Sequence, residues 1–378
     1  MAITINSAPG AYSSITDSIW FVVSSTNSAQ SSFKYVFDIS INGSKIASIK
    51  LFPDQGFYGV LDIAPILRNY FSSGFNPSGS GLLQNANSNL HIDYTVAFGE
   101  EYSGSTYPNL TSNAYKAYAY MLDPYRTNLS AYANKFLTSR DRNFAKVVQG
   151  EKFYITYFNA DLANATATIQ KYFENGTTDG TASTGSTISN LESLLLDLSP
   201  NAINAYLGTS KITDSTFAYT VTIGADTIKL YQTANPRFDP VKIIFQNAWG
   251  GYDSFDFRLL SRKGKKFNRK NYDSVDYVRN GGNMDWKDSS NKFYGGLMNF
   301  ATSIDYTIKV VSDYLTVTDY NLGAELLASN EVYYAINGDF YPITFSMDTW
   351  EEKNNNSDKI FNYELQFSLG KTTYSQFR

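Results

Sequence analysis

Paired carboxylates are the residues in this chain whose type and spacing could do chemistry. Two carboxylates held across a sugar cleft can act as the acid and the base or nucleophile of glycoside hydrolysis. The pairs that stand close in sequence are Glu100-Glu101, Asp253/Asp256, Asp273/Asp276 and Glu351-Glu352. None of them lies in a recognisable catalytic frame, and Asp and Glu side chains mostly lie at solvated surfaces. We therefore expect surface acids or turn caps at these positions.

Few other residues of this chain could support catalysis. It contains no cysteine, which excludes disulfides, cysteine-bound zinc, iron–sulfur clusters and thiol catalysis. Its one histidine, His91, lies in a strand-like run without a partner motif, and most histidine chemistry needs partners. The glycine pairs Gly250-Gly251 and Gly281-Gly282 lack the lysine and the frame of a nucleotide loop. We expect no enzyme, no catalytic residue, no metal and no cofactor.

The composition is typical of β-sheet proteins. Of the 378 residues, 16% are aromatic and only 17% are charged. β-branched and aromatic residues separated by Asn, Gly and Ser turns favour strands. The formal net charge of −4 predicts no bulk attraction to nucleic acid or to an anionic membrane. No apolar run approaches the roughly 20 residues of a membrane span, and residues 1–14 lack the features of a cleaved secretion signal.

Alternating strands and tight turns predict sandwich domains. Phe33–Ile41 has an apolar residue at every second position, which is the period of a half-buried strand. Asn42-Gly43 and Asn337-Gly338 are strong signals for two-residue hairpins. Pro65 and the apolar spacing around it predict a short helix near 63–71. We expect a mainly β chain of tandem β-sandwich-like domains, with one or a few short helices and extended hairpin or terminal arms.

Two β-rich regions are expected from the length and the order of these elements. Residues 1–145 form an N-terminal β-sandwich-like domain that contains the short helix. Residues 146–378 form a second β-rich region, whose length allows two packed subdomains of about 146–300 and 301–378. The second region includes a hairpin and a basic arm at residues 241–270.

The candidate interface residues lie mainly in this segment, Val241–Lys270. It begins as an apolar strand, turns through Trp249-Gly250-Gly251-Tyr252 and returns as an alternating strand. It ends in six basic residues with no acidic residue among them, which are Arg262, Lys263, Lys265, Lys266, Arg269 and Lys270. The pattern predicts a β-hairpin with an aromatic tip and a basic arm. The C-terminal aromatics Tyr374 and Phe377 predict a second arm that docks.

Three interpretations of the basic stretch stay open. Clustered Lys and Arg side chains can neutralise the phosphates of DNA. They can also lie against an acidic face of a neighbouring identical subunit, which the overall negative charge favours. The third interpretation is a solvated, flexible loop. At the turn, we expect Phe255 to fold back into a small cluster and Trp249 or Tyr252 to be buried against a partner.

Three segments carry patterns that point to a family. Residues 247–257, NAWGGYDSFDF, match the pattern N-x-W-G-G-Y-D-S-F-x-F. Residues 61–71, LDIAPILRNYF, are similar to D-I-S-x-I-L-R-x-x-F, and KIFNYELQF at 359–367 follows the strand-like residues 332–345 and is similar to K-x-x-N-Y-x-L-x-F. In their order along the chain, 61–71, 247–257 and 359–367, the three segments resemble structural proteins of the crAss-like phages, which infect Bacteroidetes.

This resemblance implies a virion protein made of β-sandwich domains. We expect a non-enzymatic tail or neck ring or adaptor subunit that forms a cyclic homo-oligomer in a tailed phage particle. Its partners would be identical subunits and neighbouring virion proteins, such as the portal and other tail ring or hub proteins. DNA contact is less favoured, and no membrane partner is expected. The protein would be made in the cytoplasm of the host bacterium and reside in the virion.

The alternative is a receptor- or carbohydrate-binding protein of a head or tail fibre. Exposed Tyr and Trp side chains among many Asn and Ser residues would suit a glycan. The chain lacks fibre-like repeats and coiled-coil heptads, which counts against this alternative.

Overall fold

A computed structural model gives the fold of the chain. It describes residues 3–10, 12–71, 75–79, 81–85, 91–111, 115–118, 133–148, 150–189, 192–233, 238–346, 362, 364–370 and 373–377. Within them the chain is mainly β, with three short helices and several sheets whose strands are mostly antiparallel. The predicted fold class of tandem β-sandwich-like domains is confirmed.

The N-terminal strands form two sheets. The elements in this part are β1 Ile3–Ser7, β2 Tyr12–Ser14, β3 Trp20–Ser25, β4 Lys34–Ile41, β5 Ser44–Leu51, β6 Tyr58–Asp62, α1 Ala64–Arg68, β7 Leu83–Asn85, β8 His91–Tyr102, β9 Ser105–Thr111 and β10 Tyr115–Tyr118. One sheet has the order β1-β3-β6. The other has the order β2-β10-β8-β4-β5, with β9 on β8.

The core of this sandwich follows the alternation expected from the sequence. Tyr35, Phe37 and Ile39 of β4 are buried, and the rings of Phe37 and Phe98 meet edge to face at 5.5 Å. Asn42 and Gly43 have φ angles of 48° and 78°. Two successive positive φ angles are the requirement of a type I′ turn, so the predicted hairpin between β4 and β5 is confirmed.

Helix α1 is shorter than the predicted helix near 63–71, and an acidic residue fixes its start. The Asp62 carboxylate accepts hydrogen bonds from the backbone N–H groups of Ile19 at 2.8 Å and Ala64 at 3.0 Å. Leu67 is buried in the core of the sandwich. Arg68 donates from its Nε to the carbonyl oxygen of Ile15 at 2.7 Å. The helix therefore holds the segment between β2 and β3 against the sandwich.

The next elements build a second sandwich. They are β11 Lys135–Leu137, β12 Ala145–Val148, β13 Tyr154–Phe158, β14 Ala167–Tyr172, β15 Ser183–Thr184, β16 Ser193–Asp197, α2 Pro200–Leu207, β17 Ala218–Ile223 and β18 Asp226–Thr233. One sheet has the order β12-β18-β17-β14-β15. In the facing layer β13 pairs with β11 and β16, and β16 pairs with β7. Both layers contribute buried residues to one core, among them Ile155, Leu196 and Val221.

Helix α2 was not predicted, although its ends carry recognised signals. The Ser199 hydroxyl accepts a hydrogen bond from the backbone N–H of Ala202, and Pro200 occupies the first turn. Gly208 ends the helix with a φ of 64°. A serine cap, an early proline and a final glycine are the usual start and stop signals of a helix.

The chain divides into two compact units. Unit 1 comprises Met1–Pro236, Ile244–Ser254 and Thr318–Glu331, and unit 2 comprises Arg237–Ile243, Phe255–Val317 and Val332–Arg378. The strands β19 Val241–Gln246 and β20 Tyr252–Phe257 contribute residues to both units, and α3 Val317–Ala328 lies almost wholly in unit 1. The boundaries expected near 145 and 300 stay predictions.

Unit 2 contains one extended sheet. The remaining strands of this unit are β21 Arg262–Ser274, β22 Val278–Asn280, β23 Asn283–Asp285, β24 Gly296–Val311, β25 Val332–Ile336, β26 Asp339–Phe345, β27 Glu364–Leu369 and β28 Thr373–Phe377. Strands β22 and β23 form a separate two-stranded sheet. The extended sheet has the order β21-β24-β27-β26-β25, with β28 also on β24. Val310, Leu365 and Phe367 are buried in it. Asn337 and Gly338 have φ angles of 53° and 89°, which confirms the second predicted Asn-Gly hairpin.

Candidate functional site

The turn between β19 and β20 is folded into unit 1. Asn247 is fully buried, and its side-chain oxygen accepts hydrogen bonds from the backbone N–H groups of Trp249 at 3.0 Å and Gly251 at 3.1 Å. Gly250 has a φ of 79°, a conformation that favours glycine. A Cβ atom at Gly251 would lie 2.8 Å from the Cβ of Thr156. The two glycines therefore allow the turn to close tightly against β13.

Tyr252 and Trp249 of the predicted aromatic tip have hydrogen-bond partners within the same chain. Tyr252 is only 3% exposed, and its hydroxyl donates to the Glu331 carboxylate at 2.5 Å. Trp249 is partly buried, and its indole N–H donates to the Ser139 hydroxyl at 2.8 Å. Both aromatic side chains thus have hydrogen-bond partners within unit 1, where Asn247 holds the turn. Phe255 is buried, as expected.

A buried polar network centred on Asp253 covers this turn. Oδ2 of the Asp253 carboxylate accepts hydrogen bonds from the Thr138 hydroxyl and the Asn247 amide, both at 2.8 Å. Oδ1 has no hydrogen-bond partner among the described residues. Burial raises the pKa of Asp253, and the nearby positive charge of Arg140 opposes this rise. The expectation that Asp253 is a surface acid is therefore wrong, because distant segments enclose it.

Helix α3 adds two acids to the network. Glu325 accepts a hydrogen bond from the backbone N–H of Ala248 at 3.0 Å, and the Ser139 hydroxyl also hydrogen-bonds to it. Asp319 accepts one from the backbone N–H of Asp141 at 3.3 Å. Burial raises the pKa of both carboxyl groups. Ser139 therefore joins the turn to α3 through Trp249 on one side and Glu325 on the other.

The network holds together three stretches of chain that are far apart in sequence. They are residues 138–141, residues 247–254 and helix α3. Arg140 belongs to it as well, because its guanidinium donates to the carbonyl oxygen of Ser254. In the part of the chain that the structure describes, no group of three or more His, Cys, Asp or Glu side chains could hold a metal ion. We interpret the network as a set of buried hydrogen bonds that fixes the turn within unit 1.

The raised carboxyl pKa values predict that unit 1 loses stability as pH rises. A group whose pKa is higher in the folded state contributes stability that is complete below its unfolded pKa, about 4 for a carboxyl. That contribution is lost as pH rises through the folded value. Asp253→Asn removes the ionisation while keeping an oxygen for Thr138 and Asn247. The free energy of unfolding of this variant, minus that of the wild type, is expected to increase with pH.

Urea unfolding at a series of pH values measures this difference. The same variant is used at every pH. A cost of the new amide that does not depend on pH therefore shifts every difference equally and does not change how the difference varies with pH. A difference that does not change between about pH 4 and about pH 8 would contradict the proposed effect of burial on Asp253.

The basic residues lie on the first strand of a long hairpin, which we call the arm, residues 262–311. Strand β21 pairs antiparallel with β24 from Arg262 opposite Lys309 to Ser274 opposite Gly296. Because side chains alternate along a strand, both faces of β21 carry basic groups. One face carries Arg262, Lys266 and Lys270, and the other carries Lys263, Lys265 and Arg269. The stretch is therefore an ordered strand, and the interpretation as a flexible loop is wrong.

The distal part of the arm exposes large apolar side chains. No residue between 261 and 300 is buried, and the structure describes all of them. Trp286 is 57% exposed and Phe293 is 72% exposed. The other exposed apolar residues of the arm are Phe267, Tyr272, Val275, Tyr277, Val278, Met284, Leu297 and Phe300. Exposed large apolar side chains in this number favour an interaction site. We call residues 274–296, which include the small hairpin of β22 and β23, the arm tip.

The C-terminal aromatics lie on a strand that docks within the same chain. Strand β28 pairs with β24, with Phe377 opposite Ala301 and Tyr374 opposite Ser303. The docking of this segment on the arm leaves β24 with a backbone neighbour on each side, because β21 pairs with its other edge.

Unit 1 carries a second exposed apolar surface, which we call the β3–β6 face. Trp20 of β3 and Tyr58 and Val60 of β6 are exposed on it. Val60 lies opposite Val22 in the pairing of the two strands. Sequence reasoning singled out neither this face nor the arm tip, because alternating apolar residues in strands are normally a sign of burial.

Comparisons with known proteins add little to this description. No protein family model and no curated protein matches the chain. One similar solved structure is the "Crystal structure of Dpr2 Ig1-Ig2 in complex with DIP-Theta Ig1-Ig3". It shares 8% identity, with a TM-score of 0.20 over 98% of this chain and 90% of that chain, which is too low to support any conclusion. Among the described residues no helix is long and apolar enough to cross a membrane.

Proposed function

We propose that this chain is a non-enzymatic structural subunit that assembles with identical copies through its arm. The observation that carries the proposal is the arm itself, in which no residue between 261 and 300 is buried. A two-stranded hairpin is marginally stable in water by itself. An ordered arm with exposed Trp286 and Phe293 therefore gains most when a neighbouring subunit covers it.

The charge distribution supports an identical subunit as the neighbour. The stretch 262–270 carries six basic residues and no acidic residue, while the whole chain has a net charge of −4. The rest of the chain therefore carries ten more acidic than basic residues. Opposite charges on two surfaces guide association and suppress wrong partners. An arm that reaches the next copy brings its basic strand towards surface of the opposite sign.

The proposed setting is the tail or neck of a tailed phage. This part of the proposal rests on the resemblance of residues 61–71, 247–257 and 359–367 to structural proteins of crAss-like phages. In that setting the subunits close into a ring, because a head-to-tail contact between identical copies generates a closed ring when its rotation closes. The ring contacts other virion proteins, such as the portal and further ring or hub proteins.

The mass of the purified full-length protein in solution tests the proposal. Light scattering during size exclusion is expected to find a species larger than a dimer of the 42.3 kDa chain. Electron micrographs of the same fraction are expected to show rings. A protein that stays at 42.3 kDa at all accessible concentrations, and that is absent from purified particles, would overturn it.

A further inference from the structure

An apolar groove lies at the base of the arm, within unit 2. It has a volume of about 290 Å³. Ile308 and Tyr334 in its lining are buried, Ile336 is partly buried, and Tyr341 is exposed at the edge. Lys263 of β21 also lines it. The groove is therefore an open apolar recess with a positive charge beside it.

The arm tip of the same chain cannot fill this groove. Gly264 of β21 lines the groove, and the tip begins at Ser274, farther along the same strand. A strand rises about 3.3 Å per residue, so the tip begins roughly 33 Å from the groove. Because β21 stays paired with β24 over this distance, the hairpin does not fold back on itself. Any arm tip in the groove must come from another copy of the chain.

We infer that the arm tip of one copy docks in this groove of the next copy. The inference rests on the proposed function and names the two surfaces that form the contact. Trp286 and Phe293 supply exposed aromatic side chains that an apolar recess can cover. Trp286 lies in the stretch 285–288, which carries two aspartates and Lys287. The net negative charge of this stretch is complementary to the charge of Lys263 at the groove.

The chemistry of the tip favours a protein partner over an anionic membrane. Its residues 274–296 contain three aspartates, Asp276, Asp285 and Asp288, and three basic residues, Arg279, Lys287 and Lys292. A neutral tip with several aspartates gains no attraction from anionic lipids, whose binding depends on clustered Lys and Arg. The contact joins two different surfaces of identical chains, so it is head-to-tail: the copy that gives its tip keeps a free groove, and the copy that gives its groove keeps a free tip.

Disulfide trapping tests this contact without background, because the chain has no cysteine. One variant carries Lys292→Cys in the arm tip, at an exposed position beside the retained Phe293, and a second carries Tyr341→Cys at the groove. The two are mixed and treated with a mild thiol oxidant, and the products are separated without reductant. Val60→Cys on the β3–β6 face replaces the groove variant in a comparison mixture. Ser210→Cys, in an exposed loop of unit 1, reports random collision, and circular dichroism checks the folding of each variant.

The mixture of tip and groove variants is expected to give a covalent dimer. Its yield should exceed that of the Ser210→Cys mixture about tenfold or more, since docking raises the effective concentration of the two thiols. A chain that carries both Lys292→Cys and Tyr341→Cys should give a ladder of larger products. Each single variant alone should give little dimer, because a head-to-tail contact never brings two tips or two grooves together.

Three results would overturn the inference. They are a dimer from Lys292→Cys alone, a preference of the tip for Val60→Cys, and a yield no higher than that of the Ser210→Cys mixture. If the protein is still larger than a dimer by light scattering, each of these results leaves the proposed function standing and rejects only the groove as the docking site. A monomeric wild-type protein without specific trapping would reject both.

Discussion

Asn247→Ala is expected to lower the free energy of unfolding by roughly 3–5 kcal/mol, because one buried side chain closes the turn of unit 1. Its oxygen accepts hydrogen bonds from the backbone N–H groups of Trp249 and Gly251. Its amide donates to the Leu137 carbonyl oxygen at 2.6 Å and to the Asp253 carboxylate. Alanine replaces none of these contacts. A buried polar group left without a partner costs about 1–3 kcal/mol, and several groups would lose one here.

Asn175→Ala is the matched control for this substitution. The Asn175 side chain also accepts a hydrogen bond from a backbone N–H two residues ahead, that of Thr177, at 3.0 Å. It differs in being exposed, so water can replace the lost contact and the expected change is within about 0.5 kcal/mol. Chemical unfolding of both variants beside the wild type measures the two costs. Equal costs would show that the buried network does not hold the turn.

The main β elements could be predicted because their signals are local. The alternation of Phe33–Ile41 depends only on the pleat of a strand, and it correctly placed Tyr35, Phe37 and Ile39 in the core. The two Asn-Gly turns depend only on positive φ angles, which Asn and Gly tolerate better than other residues. Tertiary contacts change such signals little, so both hairpins form where the sequence places them.

The burial of the turn at 247–254 could not be predicted because its partners are remote. The hydrogen bonds of Asn247 to Leu137 and of Trp249 to Ser139 each join residues 110 positions apart. An aromatic turn with two glycines looks the same in sequence whether it is exposed or enclosed. The acids Asp319 and Glu325 carry no local sign of burial either, since their surroundings are set by the packing of α3.

The sequence predicted only the first strand of the arm, for a related reason. Six basic residues without an acid marked β21, but nothing local identified β24 as its partner over the whole length from Arg262 to Ser274. Apolar residues in strands normally face a core, so Tyr272, Leu297 and Phe300 gave no sign of exposure. Only the complete fold shows that no residue of this hairpin between 261 and 300 is buried within the part of the chain that the structure describes.

Removal of the arm tip is expected to abolish assembly and to leave the subunit folded. Replacing residues 274–296 by Asn-Gly joins Asp273 to Leu297, which lie opposite each other in the β21–β24 pair, and Asn-Gly suits a two-residue hairpin. The removed residues include no buried residue, and the pairing of β28 with Ala301–Ile304 is kept. The thermal midpoint should therefore change little, while the species larger than a dimer should disappear.

Point substitutions give a graded form of the same prediction. Trp286→Ser combined with Phe293→Ser removes two exposed aromatic anchors, and each interface anchor of this kind is worth about 2 kcal/mol or more. The subunit dissociation constant should therefore rise by about three orders of magnitude. Tyr314→Ser is the matched control, because Tyr314 is 69% exposed in unit 2 but lies outside the arm. Light scattering across a dilution series measures the subunit dissociation constant of the wild type, the double tip variant and Tyr314→Ser. If the tip variants assemble as the wild type does, or if Tyr314→Ser weakens assembly equally, the exposed apolar surface of the arm tip does not join the subunits.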